Sequence, residues 1–70
     1  MDNIIASREV QIERKHFIIE FRENERGRFV RITEEAHGRR NAVIIPSTGL
    51  FEFAEAFDDV LDASPEEKDT

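Results

Sequence analysis

From Ile4 to Ile45 the apolar residues recur with period two or in short runs, whereas from Leu50 to Leu61 they recur at helical spacing. Period two marks strands, because successive side chains of an extended chain point to opposite faces. The first part of the chain therefore predicts four strands, at roughly 4–13, 15–23, 27–35 and 40–46. In the second, Phe17, Ile19 and Phe21 point one way and Ile18, Glu20 and Arg22 the other, which assigns the first set to a core. In the third, Val30 and Ile32 form the apolar set and leave Phe29, Arg31 and Thr33 on the opposite face, so an aromatic shares a face with an arginine. Val43, Ile44 and Ile45 form a continuous run, which predicts a fourth strand covered on both faces. Pro46 has no amide hydrogen to extend a ladder and ends it.

The second and third strands are joined by Asn24-Glu25-Arg26-Gly27, where the glycine accommodates the positive φ that closes a short hairpin loop with a bulge. The third and fourth join through residues 36–41, with Gly38 at the reversal. Beyond Pro46, Leu50, Phe53, Ala54, Phe57, Val60 and Leu61 fall on one stripe of an amphipathic helix. Glu52, Glu55, Asp58, Asp59 and Asp62 occupy its other side. Ser47 or Thr48 is the expected N-cap, and Glu52 suits the positive end of the helix dipole. The fold class is thus α+β, with one unit over residues 1–62 and an acidic tail, 63–70, expected to be disordered for want of an apolar face.

Size and charge sharpen this picture. A chain of 70 residues buries only about 60% of the surface its unfolded form exposes. Disulfides, a structural metal or a second copy usually make up the deficit. Cysteine is absent, and His16 and His37 are a poor start for a tetrahedral zinc site, so no metal or other cofactor is expected and self-association remains. The net charge of −6 is unevenly distributed. Residues 1–46 carry nine basic side chains against eight acidic ones, and residues 47–70 carry Lys68 against eight acids, balances of +1 and −7. Every arginine lies in the first part, which suggests two surfaces with different tasks. Asp2 stands where a signal peptide would be basic, and no apolar run is longer than Val43–Ile45, so a cytoplasmic protein, nucleoid-associated if bacterial, is the expectation.

No catalytic constellation is evident. Ser7 and Ser47 lack a nucleophile-elbow context, Arg26-Gly27-Arg28 lacks the P-loop pattern, and Glu34 and Glu35, adjacent on a strand, point to opposite faces. Neither an enzyme nor a small-molecule substrate is expected. His37, in a glycine loop, reads as a solvated surface residue and His16 as a half-exposed strand residue. The informative cluster is Arg22, Asn24, Arg26, Arg28, Phe29 and Arg31 around one hairpin. Arginine binds phosphate bidentately and stacks on bases, asparagine offers donor and acceptor to a base edge, and an exposed phenylalanine on a sheet is a stacking platform. Together they suit single-stranded nucleic acid, whose bases are free to stack. The plainer alternative is that the arginines pair with Glu20, Glu23, Glu25 and Glu34 to keep exposed strands soluble, while Phe29 buries against a second copy.

The run from Ala6 to Glu34, ASREVQIERKHFIIEFRENERGRFVRITE, resembles the repeat of the PUR-alpha family of single-stranded nucleic-acid-binding proteins, most specifically in Glu23-Asn24-Glu25-Arg26-Gly27-Arg28-Phe29. The likeness continues through IIPSTGLFEFAEAF, the last strand and the start of the helix. The resemblance implies a β-β-β-β-α repeat, with a curved antiparallel sheet and a C-terminal helix. Two such repeats intertwine by swapping helices into one Whirly-like domain. A chain with one repeat is similar to the shorter bacterial members, which assemble as homodimers. Phe17, Ile19 and Phe21 with Leu50, Phe53, Phe57 and Leu61 would then form a shared dimer core. The family's Lys-x-Asn-x-Arg/Lys motif places Arg22 at the lysine, Asn24 at the asparagine and Arg26 at the basic position. Phe29 falls at the phenylalanine that stacks between bases and wedges duplex strands apart. Purine-rich, GGN-like DNA or RNA is the ligand the resemblance implies.

Two functions follow. One is a homodimeric single-strand-binding module. The other, drawn from the net charge, is a protein–protein adaptor that uses the acidic helix face of Glu52, Glu55, Asp58, Asp59 and Asp62 and has lost nucleic acid.

Overall fold

The computed structural model describes residues 2–63. Four antiparallel strands, β1 (Asn3–Ile12), β2 (Lys15–Asn24), β3 (Gly27–Ala36) and β4 (Arg39–Pro46), form one sheet in the order β1-β2-β3-β4. A short 3-10 turn, Ser47–Gly49, leads into the helix α1 (Leu50–Asp62). This is the expected β-β-β-β-α repeat. Of the tail, Ala63 is the C-cap of α1 and the rest lies outside the described residues.

Glycine closes two of the three two-residue turns. The β3–β4 turn holds both His37 (φ 53°) and Gly38 (φ 73°) at positive φ, the primed-turn geometry that matches the twist of paired strands. The β2–β3 turn closes with Gly27 at φ 136°, a conformation open to glycine and costly for other residues. The β1–β2 turn carries Glu13 at φ 55°, which ends β1 at Ile12 rather than one residue later.

Register sorts the side chains. Phe17, Ile19 and Phe21 lie opposite Glu34, Ile32 and Val30 on β3, and Ile32 and Val30 lie opposite Val43 and Ile45 on β4. On β1, Val10, Arg8 and Ala6 complete this largely apolar face. A register shift between Ile4 and Ala6 leaves Ile5 as an extra residue in β1. The other face carries His16, Ile18, Glu20, Arg22 and Asn24, with Phe29, Arg31, Thr33 and Glu35 on β3 and Arg40, Ala42 and Ile44 on β4.

Two expectations are corrected. The helix does not take a side-chain cap from Ser47 or Thr48, which lie in the 3-10 turn; Gly49 occupies the N-cap and makes no side-chain cap bond. The fourth strand is not covered on both faces: β4 is an edge strand, with Val43 58% and Ile44 61% exposed. Within one copy the apolar set has no cover, and no apolar side chain is buried among the described residues. Thr33 is the one buried residue among those described. The radius of gyration is 14.2 Å, against about 11 Å for a compact chain of this length.

One polar network crosses all four strands. His16 on β2 meets Glu9 on β1 through Nε2 at 2.8 Å and Glu35 on β3 through Nδ1 at 3.2 Å. Arg40 on β4 donates from Nε to Glu35 at 2.9 Å. Only the imidazolium donates to both carboxylates at once, so the hydrogen bonds to Glu35 and Glu9 raise the His16 pKa above its ordinary value. Arg40, with His16 second, lowers that of Glu35. A raised folded pKa gives stability that is complete below the unfolded value of about 6.5 and is lost as pH rises through the folded value. The lowered Glu35 pKa acts in the opposite sense, its contribution being lost in acid. Urea midpoints are therefore expected to fall between pH 6 and pH 8 in the wild type, and that fall is expected to shrink in His16→Gln; equal slopes in the two proteins would contradict the network's role.

Candidate nucleic-acid interface

The hairpin joining β2 and β3 brings most of the sequence cluster to one end of the polar face. Phe29 lies opposite Arg22 on one side and Pro46 on the other, and Arg31 lies opposite Glu20 and Ile44. Phe29 is half-buried. A groove of about 380 Å³ runs beside it, lined by Asn24, Arg26, Gly27, Arg28, Phe29, Ile44 and Pro46. That volume is within the range of small-ligand sites, and one wall is the phenyl ring that a planar base would meet.

The basic residues divide into two groups. Arg22 is 18% exposed and is held by Glu20 at 2.8 Å and Asp2 at 3.6 Å. Its Nε is buried without a hydrogen-bond partner. Arg28 extends to the opposite, largely apolar face, where it lies across from Glu23 and pairs with it at 3.4 Å. For these two the plainer reading, arginines matched to strand carboxylates, describes what the fold does. Arg26 and Arg31 make no ion pair among the described residues. Arg31 faces Glu20 in register, but a Glu20 oxygen is engaged by Arg22, so the Arg31 guanidinium keeps its donors.

Asn24 has a structural task that its residue type alone did not reveal. Its Oδ1 accepts a hydrogen bond from the Arg26 backbone N–H at 2.9 Å, a local bond that builds the turn. One lone pair of the carboxamide oxygen is thereby engaged in the turn, which leaves its second lone pair and the amide hydrogens available. Two residues of the groove, Ile44 and Pro46, were not among the sequence candidates. The register of β3 against β4 brings them beside Phe29 from 15 and 17 positions along the chain.

An aromatic flanked by unpaired arginines on an open sheet face is the arrangement of proteins that stack and steer single strands. Comparison with known proteins agrees. Residues 2–70 match the family model described as PurA ssDNA and RNA-binding protein. The chain belongs to the PurA family. It is also similar to Transcription factor Pur-alpha 1 of Arabidopsis thaliana, with 36% identity over 53 residues. That match covers 76% of the present chain and 18% of the plant protein, so the chain spans less than a fifth of its relative. The PurA family is described by the nucleic acids it binds rather than by a reaction. The PurA chain's four strands, helix and hairpin all fall within the matched residues.

Proposed function

We propose that this chain is a homodimeric module that binds single-stranded, purine-rich DNA or RNA across the polar face of its sheet, with Phe29 as the stacking platform. The observation that carries the reading is Phe29 on the same face as the unpaired Arg31, with Arg26 at the mouth of the adjoining groove. Arg22 and Asn24 contribute the frame of the hairpin, and Arg28 reaches the groove from the other face. A regulatory role in transcription belongs to the same proposal and draws on the description of the plant relative as a transcription factor.

The dimer is supported by what the single chain leaves uncovered. In α1, Phe51 is 88%, Phe57 58% and Val60 70% exposed, and the apolar sheet face is also without a lid. Exposed apolar area on this scale marks an interaction surface. A second copy has both pieces that are missing, a helix for the sheet and a sheet for the helix. Phe17, Ile19 and Phe21 would meet Leu50, Phe53, Phe57 and Leu61 across that interface.

The test is a fluorescence-anisotropy titration of a labelled purine-rich single strand, beside its duplex and a pyrimidine strand, at several salt concentrations. Saturable binding that favours the purine strand and weakens with salt is expected. Arg26→Ala should reduce the slope of log K against log salt by about 0.7, the increment for one phosphate contact on a single strand. Absence of binding at low salt would defeat the proposal and turn attention to the acidic side of α1.

A further inference from the structure

The largely apolar face of the sheet also carries charges, and most of them are matched in place. Lys15 pairs with Glu34 at 3.1 Å and Arg28 with Glu23 at 3.4 Å. Arg39, the first residue of β4, stands at the turn end of the sheet, exposed. Arg8 is placed differently. It lies within β1, between Ala6 and Val10 and opposite Ile19, and it makes no ion pair among the described residues. Its guanidinium donates from Nη1 to the neighbouring Ser7 carbonyl at 2.7 Å, which leaves most of its donors free. Covering this face would take Arg8 into a low-dielectric interface, where a charge needs an opposite partner.

The matching carboxylates are on α1, which carries acidic residues and no basic one. Asp58 is four residues from Ala54 and three from Leu61, and Asp62 lies one turn further on, so the two border the apolar stripe on one side. Ala56 and Val60, again four apart, border it on the other. The sheet face is asymmetric in the same sense: beside β2 it has Arg8 on β1, and on the opposite side Val30, Ile32, Val43 and Ile45. A helix seated on Phe17, Ile19 and Phe21 satisfies both borders in one orientation, with its acids over β1 and with Val60, 70% exposed in one copy, toward Val43, 58% exposed. The chain's own helix is on the wrong side for this. The strand that leads into α1 is the edge opposite β1, about 14 Å away at about 4.8 Å per strand. Neither Asp58 nor Asp62 makes an ion pair among the described residues.

We propose that Arg8 orients the dimer by pairing with Asp58 and Asp62 of the second copy's α1. This pairing rests on the homodimer proposed above and deepens it, because it gives the shared apolar core a direction. Apolar burial is non-directional, and a stripe of leucine and phenylalanine fits a flat apolar face either way round. The charged border admits one of the two, since the reverse would set Asp58 and Asp62 over Val43 and leave Arg8 covered without a partner. Two carboxylates one turn apart suit the planar fork of one guanidinium. Glu52, Glu55 and Asp59 stay on the side of α1 turned away from the sheet. In a two-fold dimer the contact occurs twice.

The experiment mixes two variants, Arg8→Glu and Asp58→Lys/Asp62→Lys, and counts the species by native mass spectrometry. Alone, each variant sets like charges against each other at both contacts, and its dimer dissociation constant should rise about a hundredfold over wild type, about tenfold for each contact. Mixed in equal amounts, the two should form heterodimer in large excess over either homodimer, because both contacts then join opposite charges. The mixture should also regain, by circular dichroism, cooperative unfolding that the separate variants lose at the same total concentration. A statistical mixture of dimers, a mixture that fails to associate beside a dimeric wild type, or an Arg8→Glu variant as tightly dimeric as wild type would overturn the pairing and leave the dimer in place. A wild type that stays monomeric at every concentration would overturn both.

Discussion

Phe29→Ala is expected to weaken binding of a purine-rich single strand by about fivefold to a hundredfold. Removing a base-stacking aromatic costs about 1–3 kcal/mol, and each 1.4 kcal/mol is tenfold in affinity. The ring lies on the polar face between Arg22 and Pro46, away from the apolar face of Phe17, Ile19 and Phe21, so its loss should leave the sheet paired. Phe29→Leu keeps apolar bulk but removes the flat face, and should lose most of the same affinity. Because stacking is not ionic, neither substitution should change the salt slope, in contrast to Arg26→Ala. Unchanged affinity in Phe29→Ala, measured by anisotropy on protein with a wild-type circular dichroism spectrum, would remove Phe29 from the site.

The second large effect concerns the helix. In a lone chain Phe57 is 58% exposed, and an aspartate there should alter stability by no more than about 0.5 kcal/mol, as exposed substitutions do. In the proposed dimer the same carboxylate enters a shared apolar core, where an unpaired charge costs several kcal/mol. Phe57→Asp is therefore expected to abolish cooperative unfolding near room temperature. The wild-type melting temperature should rise by about 3–6 °C for each tenfold increase in protein concentration, since mass action adds about 1.4 kcal/mol per decade to a folded dimer. A concentration-independent melting temperature together with a folded Phe57→Asp protein would refute the dimer.

Both expectations have the same structural origin. The sheet divides its side chains between a largely apolar and a largely polar face, and the described residues supply no lid for the first. In the proposed dimer that uncovered face would become a core shared by two chains. The polar face would then be left outward, with the hairpin at one end and the basic turns at the other.

The alternation of Phe17, Ile19 and Phe21 against Ile18, Glu20 and Arg22 already determined which face each side chain takes, because side-chain direction in a strand follows parity alone. For the same reason Phe29 was assigned to the face of Arg31 before any pairing was known. Gly27 and Gly38 located two turns through their freedom to take positive φ, and the period of Leu50, Phe53, Phe57 and Leu61 located the helix. Three things depended on the third dimension. The position of α1 off its own sheet did, since an amphipathic stripe states that it needs a partner but not which one. The pairing of Arg22 with Glu20, of Arg28 with Glu23 and of the Asn24 carboxamide with the Arg26 amide did, since each is a choice among several partners of like chemistry within reach. The company of Ile44 and Pro46 with Phe29, and of Arg14 with Arg39 around His37, did as well. Those neighbours are distant in sequence, and strand register brings them together.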